Sequence, residues 1–271
     1  MTSTSSNPHA PGDAATLMDP SRYRQPGRST NEELTYRVQL EDYVARAAGS
    51  AYEKLENFSK FVPRQNLARF LCLNDIFKLV LDVQGDIVEC GVNWGGGLMT
   101  FAQLSAIYEP VNLQRRIVGF DTFSGFVQID EQDVTGAIGT AERRAGGYKA
   151  DCLDDLRESV ALFDRNRFIG HVEKVVLVQG DVTETAPRYL QENPHTVVSL
   201  LHLDLDLYAP TKAAIEHFVP RMPKGAVIVF DELNNRTWPG ETAAVIETLG
   251  LGKLRIKRMP FEPHVSYAVI E

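Results

Sequence analysis

Apolar residues recur at helix spacing over Glu32 to Glu56 and again over Arg64 to Leu81, where Leu67, Phe70, Leu71, Leu73, Ile76, Phe77 and Val80 form one stripe. Two helices are therefore expected ahead of a core. From Asp86 the pattern changes. Short β-branched runs over Asp86 to Val92, Arg116 to Asp121, Lys174 to Asp181, Val197 to Asp206 and Gly225 to Glu232 alternate with helix-spaced stretches. Those stretches lie near Leu98 to Ile107, Ala150 to Phe163, Ala186 to Glu192 and Pro210 to Met222. Strands alternating with helices predict an α/β fold with a doubly wound, mainly parallel sheet. Leu254 to Met259 and Ser266 to Ile270 have Pro260 and Pro263 between them and no helical pattern, which predicts a closing antiparallel hairpin and seven strands in all.

Two stretches fall outside this alternation. Residues 1–30 are rich in Ser, Thr, Pro and Gly and lack the basic start and apolar core of a signal peptide, so they read as a mobile arm. Ser124 to Gly147, with Gly136, Gly139, Gly146 and Gly147, is long for a connection and low in apolar content, which predicts a lid inserted at about 124–150 that governs acceptor specificity. The expected organisation is an arm over 1–30, helices over 31–82 and a core over 83–271.

Composition narrows the function classes. A chain of 271 residues with 44% hydrophobic content can bury one good core. A net charge of −8 gives no general attraction to nucleic acid or an anionic membrane. No stretch approaches the roughly 18 consecutive apolar residues of a membrane span. Cys72, Cys90 and Cys152 are odd in number, far apart and without C-x-x-C spacing, so neither a disulfide framework nor a zinc site is expected and the chain reads as cytoplasmic.

In a doubly wound sheet, ligands bind beyond the carboxyl ends of the strands. The first strand runs into Glu89-Cys90-Gly91-Val92-Asn93-Trp94-Gly95, a tight glycine turn of nucleotide-binding type. It is not the dinucleotide fingerprint, because Asn93 stands where G-x-G-x-x-G needs glycine and Glu89 would repel a pyrophosphate. The second strand ends in Asp121-Thr122, an acid suited to the hydroxyls of an adenosine ribose, and the third in Gly180-Asp181, placed to border an adenine. Glu89, Gly91, Asp121 and Asp181 together describe a pocket for S-adenosylmethionine.

The stretches DIVECGVNWGGGL, GFDTFSGF, LHLDLDLYAPTKAAIEHFVPRMPKGAVIVFDE and WPGE resemble the macrocin O-methyltransferase family, whose members methylate sugar hydroxyls in antibiotic biosynthesis. The resemblance covers about Asp86 to Glu241. It implies a class I, Rossmann-like methyltransferase fold, S-adenosylmethionine as donor, Mg²⁺, a sugar or glycoside acceptor and a homo-oligomer. On a strand, alternate residues share a face, so His202, Asp204 and Asp206 are expected on one face of LLHLDLDLY with the leucines on the other. Two ionised carboxylates there need a cation, and Asp231 and Glu232 close the neighbouring strand; oxygen-only ligands favour Mg²⁺.

The resemblance assigns Asp204 and Asp231 as metal ligands, Glu232 to the place of a third acid, and Asp206 to the position of a general base. It departs from the family at Glu232, where a second aspartate is common. His202 reads as a core histidine. Trp238 is expected as a wall of the acceptor pocket, Glu241 as either a loop acid or a substrate contact, and Arg64 and Arg69 as either a solvated face or a cover for the donor's carboxylate. Three other readings stand beside this one: a methyltransferase of a catechol or phenolic acceptor, a nicotinamide-dependent oxidoreductase, and a non-catalytic binding protein.

Overall fold

The computed structural model describes residues 29–271. The arm expected over 1–30 lies outside the described residues, apart from its last two. The chain divides into two units, Met1–Val62 and Pro63–Glu271. The division falls at Val62 rather than at 82, because the helix beginning at Arg64 buries Cys72, Leu73, Ile76 and Phe77 in the core of the larger unit.

In the smaller unit the single helical run over Glu32 to Glu56 is two helices, α1 (Asn31–Arg46) and α2 (Ala51–Glu56). Gly49 at φ 97° interrupts them, and Thr30 and Ser50 each start a helix with a capping box to Glu33 and Glu53. Neither helix has a buried residue.

The larger unit carries α3 (Arg64–Lys78), β1 (Asp86–Cys90), α4 (Gly96–Tyr108), β2 (Ile117–Asp121), α5 (Glu131–Val134), α6 (Leu153–Asn166) and β3 (Val175–Gln179). It continues through α7 (Val182–Glu192), β4 (Val198–Leu203), α8 (Tyr208–Phe218), β5 (Val227–Phe230), α9 (Gly240–Thr248), β6 (Lys257–Met259) and β7 (Glu262–Val269). The seven strands form one sheet in the order β3-β2-β1-β4-β5-β7-β6. β1 to β5 pair in parallel, and β7 runs antiparallel to both β5 and β6. The doubly wound sheet with its antiparallel hairpin is therefore the observed fold.

Side-chain alternation along the strands builds two cores, one on each face. Ile87, Ile117, Leu200, Val227 and Val229 pack with the buried stripes of α3 and α4. Val88, Phe120, Leu201, Leu203, Ile228 and Phe230 pack with α7, α8 and Val245 of α9. Both faces are covered, as parallel strands require. The chain order reverses between β1 and β4, which places a crevice at their carboxyl ends.

The sequence pattern did not predict α9. Trp238-Pro239-Gly240 reads as a loop, yet Pro239 is the N-cap of this helix and its first residues, Gly240 and Glu241, are buried. Nor is the excursion over 124–150 a free lid. Ile138 donates its amide to the Arg236 carbonyl at 2.8 Å, the Arg143 guanidinium donates to the Ile138 and Thr237 carbonyls, and Asp133 of α5 accepts from the Tyr208 amide at 2.7 Å.

Candidate active site

At the exit of β1, Gly91 takes φ 93°, and a Cβ there would run into the Asp204 carbonyl. The glycine is thus required by the neighbouring strand: Asp204 donates its amide to the Cys90 carbonyl at 2.9 Å, joining the ends of β1 and β4. Beyond it, Val92 and Asn93 donate their amides to one oxygen of Asp121, each at 2.8 Å, and Phe123 donates to the other at 2.6 Å. Asp121 therefore fixes the glycine loop to the end of β2. Trp94 is exposed, and Gly95, in the left-handed region, caps α4.

Thr122 Oγ1 donates to the Gly125 carbonyl, and Gly180 donates its amide to the Asp121 carbonyl at 2.9 Å, which draws the ends of β2 and β3 together. Asp181 caps α7 by accepting from Thr183 at 2.9 Å. Gly91, Asn93, Trp94, Gly95, Asp121, Thr122, Gly180 and Asp181 thus stand at the carboxyl ends of β1, β2 and β3, with Glu89 buried within β1.

The second cluster lies at the exits of β4 and β5. Asp231 donates its amide to the Leu203 carbonyl at 3.1 Å, setting its side chain beside that of Asp204. Arg69, reaching from α3, donates Nη2 to Asp204 Oδ2 at 2.7 Å and Nη1 to Asp231 Oδ1 at 2.5 Å. His202 Nδ1 lies 2.9 Å from Glu89 Oε1, and its Nε2 stands 3.9 Å from Asp231 Oδ1 with no hydrogen-bond partner. His202, Asp204 and Asp231 each present a ligand atom, all within 4.8 Å of one another. His202, read from the sequence as a core histidine, is fully buried and stands beside these two carboxylates.

β4 closes at Leu203, so the strand alternation that would carry Asp204 and Asp206 onto one face ends before either of them. Asp206 instead takes φ 62° in the turn into α8. Glu232 stands beside the cluster with its carboxylate engaged by the Asn235 amide, and its own N–H donates to Glu241 Oε1 at 2.9 Å. Trp238 is 2% exposed. It packs on Phe126 and Tyr148 with Arg143 over its ring, and so anchors the excursion rather than forming an open wall.

Charge crowding at these strand ends moves the ionisations. Burial, reinforced by Asp231, raises Asp204 to about 7, and burial with the same neighbour raises Glu232 to about 8. Burial and the Glu232 charge push Asp206 well above the ordinary range. Burial would raise Asp231 too, but Arg69 and His202 outweigh it and hold it low. For His202, burial works downward, and Asp231 and Glu89 overcome it, raising the imidazole to about 9.

These residues suit a divalent cation: two carboxylates from adjacent strand ends already share a positive group, and a buried imidazole nitrogen beside them has no partner. Arg69, expected from the sequence as either a solvated face or a cover for the donor's carboxylate, instead bridges Asp204 and Asp231. Its one signal is position, three and four residues before the buried Cys72 and Leu73 on the inward face of α3.

A model of the family described as macrocin-O-methyltransferase (TylF) matches residues 50–247. The crystal structure of CalS11, a calicheamicin methyltransferase, aligns with a TM-score of 0.85 and 37% identity over 96% of this chain and 99% of its own. An apo structure of CalS11, described as a TDP-rhamnose 3'-O-methyltransferase of calicheamicin biosynthesis, gives 0.76 and 38% over 89% and 95%. A Streptomyces olivaceus tetracenomycin-rhamnosyl 4'-O-methyltransferase is 28% identical over 152 residues, 55% of this chain; the match spans about half of that relative, 53%.

Proposed function

The chain belongs to the macrocin-O-methyltransferase family, and from that membership we propose that it transfers a methyl group from S-adenosylmethionine to a hydroxyl of a deoxysugar in antibiotic biosynthesis, with Mg²⁺ as its metal. The family is one of O-methyltransferases, which removes the nicotinamide-dependent oxidoreductase. A rhamnose-type acceptor, sugar-nucleotide-linked or glycosidic, is supported by the rhamnose-directed activities of the two relatives. The observation that carries the metal reading is the meeting of His202, Asp204 and Asp231 at the strand ends.

When bound, the donor supplies an electrophilic methyl group and the ion a positive charge that acidifies and orients acceptor hydroxyls. The remainder is work for this chain's residues. Gly91, Asn93, Trp94, Gly95 and Thr122 line the donor's place, Asp121 holds the loop, and Gly180 and Asp181 border its far end. Asp204, Asp231 and the His202 Nε2 would hold the ion, and Glu232 stands beside them. Asp206 takes the proton from the acceptor hydroxyl, from its turn next to the Asp204 and Glu232 carboxylates.

The experiment is a methyl-transfer assay with S-adenosylmethionine and TDP-rhamnose, with and without EDTA, alongside donor binding by calorimetry. Methylated sugar nucleotide and S-adenosylhomocysteine are expected; EDTA abolishes turnover while donor binding persists, and Asp206→Asn lowers kcat by roughly a hundredfold or more. Full turnover in metal-free enzyme removes the metal, and a panel in which only a catechol is methylated replaces the acceptor class.

A further inference from the structure

We propose that Asp133, in the excursion between β2 and α6, is a positioning residue that sets the turn carrying Asp206, so that docking of the excursion and placement of the base are one event. The proposal rests on the reading of Asp206 as the base.

Asp206 sits between the end of β4 and the start of α8 at φ 62°, a left-handed conformation that a non-glycine residue keeps only when its surroundings enforce it. Leu207 donates its amide to the Leu205 carbonyl at 2.6 Å, closing a tight turn around it. The helix that follows lacks its own cap. Its N-cap is Leu207, which has no side-chain acceptor, and Pro210 has no N–H to offer.

Asp133 supplies what is missing. Its Oδ1 accepts the Tyr208 amide at 2.7 Å, two residues after Asp206, while Oδ2 accepts the Asp130 amide at 2.8 Å and completes the capping box of α5. The side chain is 1% exposed, so this is a buried carboxylate at a helix N-terminus, where negative charge is favoured.

A third element closes on the same point. Gly240, the first residue of α9, faces Asp133, and a Cβ there would strike both Asp133 Oδ1 and the Tyr208 amide. The next residue, Glu241, is fully buried and accepts the Glu232 amide at 2.9 Å. One carboxylate of the excursion thus touches both the helix that follows the base and the helix that holds Glu232.

The test combines hydrogen exchange by mass spectrometry with kinetics on Asp133→Ala, Asp133→Asn and Gly240→Ala in the full chain. In Asp133→Ala, exchange is expected to accelerate over residues 204–212 as well as over 126–146. Acceleration confined to 126–146 overturns the proposal. Turnover of Asp133→Ala falls by about tenfold or more with donor KM and Kd within about twofold, and Asp133→Asn, which keeps an acceptor for the Tyr208 amide, recovers most of it. Wild-type kcat in Asp133→Ala, or a loss of kcat matched by a loss of donor affinity, also overturns it. Should Asp133→Ala fail to fold, Gly240→Ala, which displaces the carboxylate, must give the same pattern. If the wild-type chain methylates no sugar, the reading of the reaction fails, and the exchange experiment still judges Asp133.

Discussion

Buried between Glu89 and the aspartates at the exits of β4 and β5, His202 ties β1 to that acidic cluster through one imidazole. Its affinity for a proton is raised above the ordinary value, so in metal-free protein its contribution to stability is complete below pH 6.5 and is lost as the pH rises through about 9. Asp204 and Glu232, raised to about 7 and about 8, act in the same direction, since the folded chain holds their protons longer than the unfolded one. Urea melts in EDTA are therefore expected to lose stability from pH 6 to 9.5, with roughly 3 kcal/mol of the loss due to His202 and absent from His202→Gln. A melt that strengthens over that range contradicts this. Sequence brought Asp204 and Asp231 close to strand ends because the apolar runs that precede them are local, though β4 closes one residue before Asp204. It misjudged Asp206 because the end of a strand and a left-handed turn depend on what packs around them, here Asp133 and Gly240.

At the scale of the element, the strands and most helices were legible because both faces of the sheet are buried and their apolar runs are nearly unbroken. α9 was not, since its start is a proline followed by a buried glycine, and its apolar spacing is short. α7 offers a direct test of how a binding element is held. Its N-cap, Asp181, is also the acid proposed to border the donor. Asp181→Ala is expected to cost about 1 kcal/mol in a denaturant melt through the lost cap, and to weaken S-adenosylmethionine binding in calorimetry. Unchanged donor affinity with the lost stability leaves Asp181 as a cap alone.

Across the whole molecule, Glu89, Asp204, Asp206, Asp231, Glu232 and Glu241 gather at the ends of three adjacent strands, opposed by Arg69 and His202. Arg69 reaches this cluster from 135 and 162 residues away in the chain, a link that no local pattern encodes. A divalent ion there relieves repulsion only in the folded state, so magnesium near a hundred times its Kd is expected to raise Tm by roughly 5–10 °C in differential scanning fluorimetry. Asp204→Asn should remove the rise, and an EDTA-treated chain that melts at the same temperature with and without magnesium refutes it. The excursion has a different consequence, for diversification. It behaves as a cassette with fixed fasteners, Asp133, Ile138, Arg143 and Trp238, and an open span at Gly139, where an added side chain meets nothing within 4 Å. We propose that libraries or natural recombination can rewrite that span, provided the fasteners are inherited unchanged.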